Sequence, residues 1–371
     1  MGRRNTLISK SILRALFLDQ HQDQRTLLAR ILAFFTFLEL KLQRYKADVF
    51  KDLRSKTWEL SEDEYKESFR QKDRSGGGLE PVGDLGYSGS TFFTTSNSKF
   101  LIKSLPRPSE YRFFARDLFE PYVTHMASNP NSLLVRITDF LYSPTVTLGA
   151  LLGLAPSCHI VMENILFGKE SSKDSKAWET YDLKPITYFY PERDIAGGRL
   201  ANESTKERLV DRFDDVIRIS DSERTLLLQT LQSDTKILEE NNAVDYSLFL
   251  VRYPAETAAS FVPPKGTPEP SANPSTPPKW RLGIQSSDGK WIYRLVVLDF
   301  FWAKHKTQAK AMTGLISSFN LVARKGPMSI TTNSVEYRRR FLHMVEGIVV
   351  SDRVTEAAVR NAGEGQGPSA E

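Results

Sequence analysis

The stretch GYSGSTFFTTSNSKFLIKSL, Gly86 to Leu105, constrains this chain more than any other segment. Two glycines and two serines precede an apolar and β-branched run that breaks at Ser96-Asn97-Ser98 and then resumes. Small residues let a backbone turn tightly and approach a ligand closely, and the run beyond them reads as strand, turn, strand. The second strand carries a lysine, Lys103, among apolar neighbours. Lysine is almost never buried without a partner. Glu110, in the segment that follows, is the acid within reach in sequence.

The surrounding pattern sets an α+β class. RPSEYRFFARDLFEPYV reads as a helix with Ser109 as its N-cap, followed by two strands in LLVRITDFLYS and SCHIVMENILFG with a turn-rich stretch between them. Residues 5 to about 70 read as helical, and DRSGGGLEP reads as a flexible joint. Further on, Ser220 and Glu223 have capping-box spacing at the head of a helix whose Leu227, Leu231 and Leu238 form a stripe. AVDYSLFLVRYP reads as a loop entering a strand. The segment 262–279 holds seven of the nineteen prolines and is expected to be a disordered insertion. A hairpin turning at Asp288-Gly289 then leads to RLVVLDFF. In the last helix, Tyr337, Phe341, Val345 and Ile348 are expected inward and Arg338 to Arg340 outward. The expected organisation is a helical region 1–75, a two-lobed body 76–354 divided near 168/169 with an antiparallel sheet in each lobe, and a frayed tail 355–371.

Composition narrows the function classes. A net charge of +5 over 371 residues is mild: it permits anionic partners, and no nucleic-acid signature accompanies it. The single cysteine, Cys158, excludes an intrachain disulfide and a thiolate metal cluster, points to a reducing compartment, and reads as a small core residue. The five histidines lack metal-ligand spacing. The longest apolar segment, Leu27 to Leu40, is too short to span a bilayer and carries Arg30. No cleavable signal peptide is evident, and MGRRNT reads as a basic tail rather than an acylation site.

Phosphoryl transfer needs few parts: backbone amides over a triphosphate, a lysine to neutralise it, an acid for the metal, and an acid to orient the attacking hydroxyl. Gly86, Ser88, Gly89 and Ser90 suit the first task and Lys103 the second. Asp299 stands among apolar and aromatic neighbours at a strand end, where metal coordination accounts for a carboxylate. Asp245 lies between a long helix and an apolar strand. Taken singly, each has an ordinary reading: a tight turn, an edge-strand lysine, a turn or capping aspartate. In this chain order, together, they specify an ATP site.

The same motifs resemble the phosphatidylinositol phosphate kinase family over residues 76 to 350. GYSGSTFF with FLIK is similar to its phosphate loop and ATP lysine, HIVMENILFG to its hinge-side strand, and YDLK to its Asp-Leu-Lys-Gly element. VDYSLFLV is similar to its Met-Asp-Tyr-Ser-Leu segment, VVLDFF to its metal motif, and VEYRRRF to its closing helix.

The resemblance implies a lipid-kinase-like bilobal fold with a helical N-terminal extension, and an ATP- and Mg2+-dependent kinase acting on a phosphoinositide. Lys103 and the loop would bind ATP, with Glu110 and Glu163 beside it. Asp245 would act on the inositol hydroxyl, Lys184 would lie near the transferred phosphate, and Asp299 would hold magnesium. The loop after Asp299, with Lys304, Lys306, Lys310, Arg324 and Lys325, would meet the phosphorylated headgroup and an anionic leaflet. It further implies a cytoplasmic protein, peripheral on the cytosolic face of the plasma membrane or endomembranes. The N-terminal helices would brace the first lobe or form a homodimer contact.

The chain departs from the family at Pro185 and Ile186, which follow Lys184 in place of glycine and serine, at Val244, and at His305 within the basic loop. These departures bear on substrate choice. They keep two alternatives open: a catalytically weak phosphoinositide-binding scaffold, and a kinase for soluble inositol phosphates.

Overall fold

The computed structural model describes residues 3–17, 40–70, 79–82, 90–144, 147, 149, 155–172, 174–185, 211, 213–258, 280–303 and 333–351. The chain divides into two units, one of residues 1–130 and 135–167, the other of residues 131–134 and 168–371.

In the first unit, helix α1 (Arg3–Phe17) precedes a two-residue strand, β1 (Gln43–Arg44). Two helices follow, α2 (Ala47–Asp52), which continues into a π-turn Leu53–Thr57, and α3 (Glu62–Arg70). Strands β2 (Leu79–Val82), β3 (Phe92–Thr95) and β4 (Phe100–Ser104) form a meander. Helices α4 (Pro108–Phe113) and α5 (Phe119–Ser128) come next, joined by a π-turn at Phe114–Leu118, and then β5 (Ile137–Tyr142) and β6 (Cys158–Glu163). All six strands pair antiparallel in the order β1-β5-β6-β4-β3-β2.

The expected hairpin around Ser96–Ser98 is present, with Ser98 in the left-handed region at φ 56°. Three expectations need correction. The helical reading of 5–70 fails at Gln43–Arg44, where the chain leaves helical geometry to pair with Leu141 and Tyr142 on the sheet edge. Leu79, Glu80 and Pro81, read as part of a joint, form an edge strand, the position in a sheet that tolerates a proline. The N-cap of α4 is Arg107 rather than Ser109, which puts Pro108 at the first helical position, where its missing N–H costs nothing.

One face of this sheet buries Phe93, Ile102, Leu141 and Val161 against Ile8, Ile12 and Leu16 of α1 and Tyr65 and Phe69 of α3. A polar knot is set into that packing. Asp139, fully buried on β5, accepts from Arg44 Nε at 3.0 Å and Nη2 at 2.8 Å, from Arg54 Nη1 at 3.3 Å and from the Tyr65 hydroxyl at 2.8 Å. Arg54 is itself fully buried, lies 4.1 Å from the Tyr65 ring centre and reaches Glu62 at 2.5 Å. Burial of Arg44 opposes its charge, but Asp139 and its other acidic neighbours outweigh that and raise its pKa. His159, in the middle of β6, is different: it is buried, and neither ring nitrogen has a hydrogen-bond partner. Burial lowers its pKa to about 3. Cys158 beside it is a buried free thiol, pushed up to about 12 by burial.

In the second unit, strands β7 (Glu179–Leu183) and β8 (Ile217–Ile219) precede the long helix α6 (Asp221–Glu240). Its expected capping box is present, with the Glu223 amide 3.3 Å from Ser220 Oγ and the Ser220 amide 3.0 Å from Glu223 Oε2. Next come β9 (Ala243–Val244), β10 (Ser247–Pro254), β11 (Ile284–Gln285), β12 (Trp291–Leu298) and β13 (Trp302–Ala303), then helix α7 (Ser334–Ile348) and β14 (Val349–Ser351). The main sheet runs β11-β12-β10-β7, all antiparallel, while β14 pairs parallel with β8. The turn at Asp288-Gly289 is as expected, with Gly289 at φ 73°.

On α7, Tyr337, Phe341 and Val345 are buried as expected, but the arginine reading is corrected. Arg339 is exposed, whereas Arg338 is half-buried and bonds Thr235 and the Gln232 carbonyl on α6. The insertion 262–279 and the tail 355–371 lie outside the described residues.

Two measurements follow. Asp139→Ala leaves two arginines without their shared counter-ion and is expected to lower unfolding free energy by about 3–5 kcal/mol in urea titrations. His159 binds its proton more readily unfolded than folded. Its contribution is therefore intact above about pH 6.5 and is lost as pH falls towards 3, at up to about 1.4 kcal/mol per pH unit. His159→Phe is expected to flatten the stability profile between pH 6.5 and 4.

Candidate active site

The register of β10 places the candidate residues of the second unit. Leu248 pairs with Leu183 on one side and Val297 on the other, and Ser247 pairs with Leu298. Lys184 follows Leu183, Asp299 follows Leu298, and Asp245 stands two residues before Ser247. All three therefore emerge at one end of the sheet. The pairing of Val244 with Trp302 and of Ala243 with Ala303 joins the chain before Asp245 to the chain after Asp299. Both acids occupy the left-handed region, Asp245 at φ 66° and Asp299 at φ 63°. Aspartate tolerates this better than most residues, and such backbone strain concentrates at functional sites.

Tyr246 anchors this turn. Its buried ring meets Tyr337 and Phe341 edge-on at centroid distances of 4.7 and 5.0 Å, and the Tyr337 hydroxyl donates to the Tyr246 carbonyl. The closing helix α7 is thus the floor beneath Asp245.

Lys184 Nζ donates to Asp245 Oδ1 at 3.0 Å. Burial by itself pulls the lysine pKa down, but Asp245, Asp182 and Asp299 overcome this and hold it well above its ordinary value. The ammonium is therefore charged throughout the physiological range. Asp182 is two residues before Lys184 on β7, on the same side of the strand, and its amide donates to Asp211 Oδ2 at 2.7 Å.

No cluster of three or more metal-type ligands is present among the described residues. Magnesium does not require one: it is commonly held by one or two carboxylates, with water and substrate phosphates completing the shell. Asp245 and Asp299 at one sheet end fit that donor set.

The first unit carries the remaining described residues of the expected constellation. Lys103, on β4, pairs with Phe92 and Ile160 and is only 6% exposed, with Nζ 5.7 Å from the Phe92 ring centre. Ser90 is buried at the entry to β3 and, with Asn5, Pro81 and Phe92, helps line a cavity of about 140 Å³. Gly86, Ser88 and Gly89 lie outside the described residues, between strands whose facing ends, Val82 and Phe92, are paired.

Glu110 is engaged at the head of its own helix, with carboxylate oxygens 3.4 Å from the Arg107 amide and 3.3 Å from Arg107 Nη1. Glu163 closes β6 and accepts from the Arg136 amide at 2.9 Å. Lys304, Lys306, Lys310, Arg324 and Lys325 lie outside the described residues. The structure thus brings Lys184, Asp245 and Asp299 together in the second unit, and carries Ser90, Lys103, Glu110 and Glu163 on the first.

Sequence reasoning passed over Asp182 and the Tyr337–Tyr246 bond. The signal for Asp182 was its i, i+2 spacing from Lys184 on a strand. Nothing in the sequence announced the second contact, which spans 91 residues.

A double-mutant cycle with Lys184→Met and Asp245→Asn is expected to give a coupling of about 1 kcal/mol in unfolding free energy, modest because Asp245 is 35% exposed. A value indistinguishable from zero would mean that the pair does not persist in solution.

Known proteins share sequence with part of this chain. The family model described as Phosphatidylinositol-4-phosphate 5-Kinase matches residues 75–275. A "Probable phosphatidylinositol phosphate kinase" of Dictyostelium discoideum is 28% identical over 178 residues, which is 46% of this chain and 22% of that protein. A "Phosphatidylinositol 4-phosphate 5-kinase type-1 beta" of Homo sapiens is 28% identical over 183 residues, 46% of this chain and 30% of that protein. A "Phosphatidylinositol 4-phosphate 5-kinase" of Plasmodium falciparum is 27% identical over 186 residues, 46% of this chain and 10% of that protein. The chain spans less than a third of the length of these relatives. With more than half of its residues inside the family model, the chain belongs to the phosphatidylinositol-4-phosphate 5-kinase family.

Proposed function

We propose that the chain is an ATP-dependent kinase that phosphorylates the inositol ring of a phosphatidylinositol phosphate at a membrane surface. The observation that carries this reading is the meeting of Lys184, Asp245 and Asp299 at one end of the β7-β10-β12 sheet. Phosphoryl transfer asks for this mix of one ammonium and two carboxylates.

When bound, Mg-ATP would supply the phosphoryl group and the metal charge. Lys103, with Ser90 and the preceding Gly86, Ser88 and Gly89, would neutralise and hold the phosphates, beside Glu110 and Glu163. Asp299 would hold magnesium. Asp245 would accept the proton of the attacking inositol hydroxyl as that oxygen bonds to the γ-phosphorus and the bond from that phosphorus to the β–γ bridging oxygen breaks, releasing ADP. Lys184, kept cationic by its acidic neighbours, would offset charge on the transferred group.

The finer expectations belong to the same proposal. The body 76–354 would form two lobes, with residues 1–75, which carry helices α1 to α3 and strand β1, suited to bracing or to a homodimer contact. Lys304, Lys306, Lys310, Arg324 and Lys325 would meet the headgroup and an anionic leaflet on a cytosolic membrane face. No helix among the described residues is long and apolar enough to cross a membrane.

Radiolabelled ATP offered with vesicles of each phosphatidylinositol phosphate tests this. Label transfer to lipid is expected from the wild-type chain, with Asp245→Asn reducing it about 100-fold or more. Transfer unchanged in Asp245→Asn would reject the assigned role. Vesicle binding without transfer would favour a scaffold, and transfer only to soluble headgroups would favour an inositol phosphate kinase.

A further inference from the structure

Immediately after Lys103, the β3–β4 ladder changes character. Phe92 pairs with Lys103, so Thr91 and Ser104 form the next rung. The Ser104 amide donates to the Thr91 carbonyl at 3.0 Å, as a ladder requires. The reverse bond goes elsewhere: the Thr91 amide donates to Ser104 Oγ at 2.7 Å, and the Thr91 hydroxyl lies 3.1 Å from the same oxygen. Ser104 is fully buried, and on its other side β4 continues against β6, with the Leu105 amide donating to the Cys158 carbonyl at 2.8 Å. Its hydroxyl therefore sits between a strand fixed on both edges and the point where β3 begins.

We propose that Ser104 is a positioning residue for nucleotide binding: its hydroxyl fixes Ser90–Thr91, the residues leading into β3, at a set offset from the lysine strand. The inference rests on the phosphotransferase reading of Lys103. The physical reason is local. A side-chain acceptor reaches further than the strand's own carbonyl, so the rung is closed while β3 is released from the flat ladder. A backbone that must meet phosphates needs its root held, because a small displacement there is passed on to every amide beyond it.

The test compares Ser104→Ala, Ser104→Thr and Thr91→Val in the full chain with two readouts. In hydrogen exchange, Ser104→Ala is expected to speed exchange of the Thr91 amide about tenfold while residues 247–254 keep their protection. In calorimetric titration with Mg-ATP, it is expected to weaken affinity about three- to tenfold. Ser104→Thr, which restores the hydroxyl, should recover both. Thr91→Val, which keeps the amide but loses the second donor, should shift both less and in the same direction, and it stands in for Ser104→Ala should that variant fail to fold.

Unchanged Thr91 exchange, unchanged Mg-ATP affinity, or failure of threonine to rescue would each overturn the proposal. A wild-type chain that binds no Mg-ATP would instead sink the phosphotransferase reading, and the exchange readout would still decide whether Ser104 holds the strand.

Discussion

Strand β10 sits between β7 and β12, and its register with both decides where charge collects in the second unit. A slip of one residue against either neighbour would move Lys184 or Asp299 to the other side of the sheet, because strand side chains alternate. The register is fixed by burial: Leu248, Leu250, Leu295 and Val297 are each fully enclosed. The site is therefore specified by apolar residues that take no part in its chemistry. Once those leucines and valines are seated, Lys184 reaches Asp245 without further instruction.

Each unit is held by its own device. In the second unit a tyrosine of the closing helix grips the backbone at Tyr246, so a strained turn carrying Asp245 rests on a packed aromatic floor. In the first unit the fixed point is electrostatic: Asp139 gathers Arg44, Arg54 and Tyr65 from three successive pieces of chain and ties them to β5. Such a buried knot is a weak source of net stability, since an apolar replacement often does as well. It is severe about geometry, because a mispacked arginine would be left uncompensated. It binds β1 and the chain up to α3 to the sheet that bears Lys103.

Much of this was legible in the sequence. The hairpin around Ser96–Ser98, the capping box at Ser220 and Glu223, the turn at Gly289 and the inward stripe Tyr337, Phe341, Val345 all follow from local rules, and the structure has them. What was misread depends on partners distant in sequence. Gln43 and Arg44 look helical until Leu141 and Tyr142 offer an edge. Arg338 looks solvated until α6 presents Thr235 and the Gln232 carbonyl. The chemistry of Asp245 and Asp299 was visible as acids beside apolar strands, but their meeting with Lys184 is a property of register, which a sequence shows only through its consequences.

The proposed function requires that Lys103 bind ATP and that Asp299 hold its magnesium. Affinity labelling with fluorosulfonylbenzoyl adenosine, which reacts covalently with a lysine beside bound nucleotide, tests it directly by peptide mapping. The account predicts modification at Lys103, protection by Mg-ATP, and clear loss of the magnesium-dependent part of that protection in Asp299→Asn. Label falling on other lysines, or protection at Lys103 that is indifferent to Asp299, would contradict it.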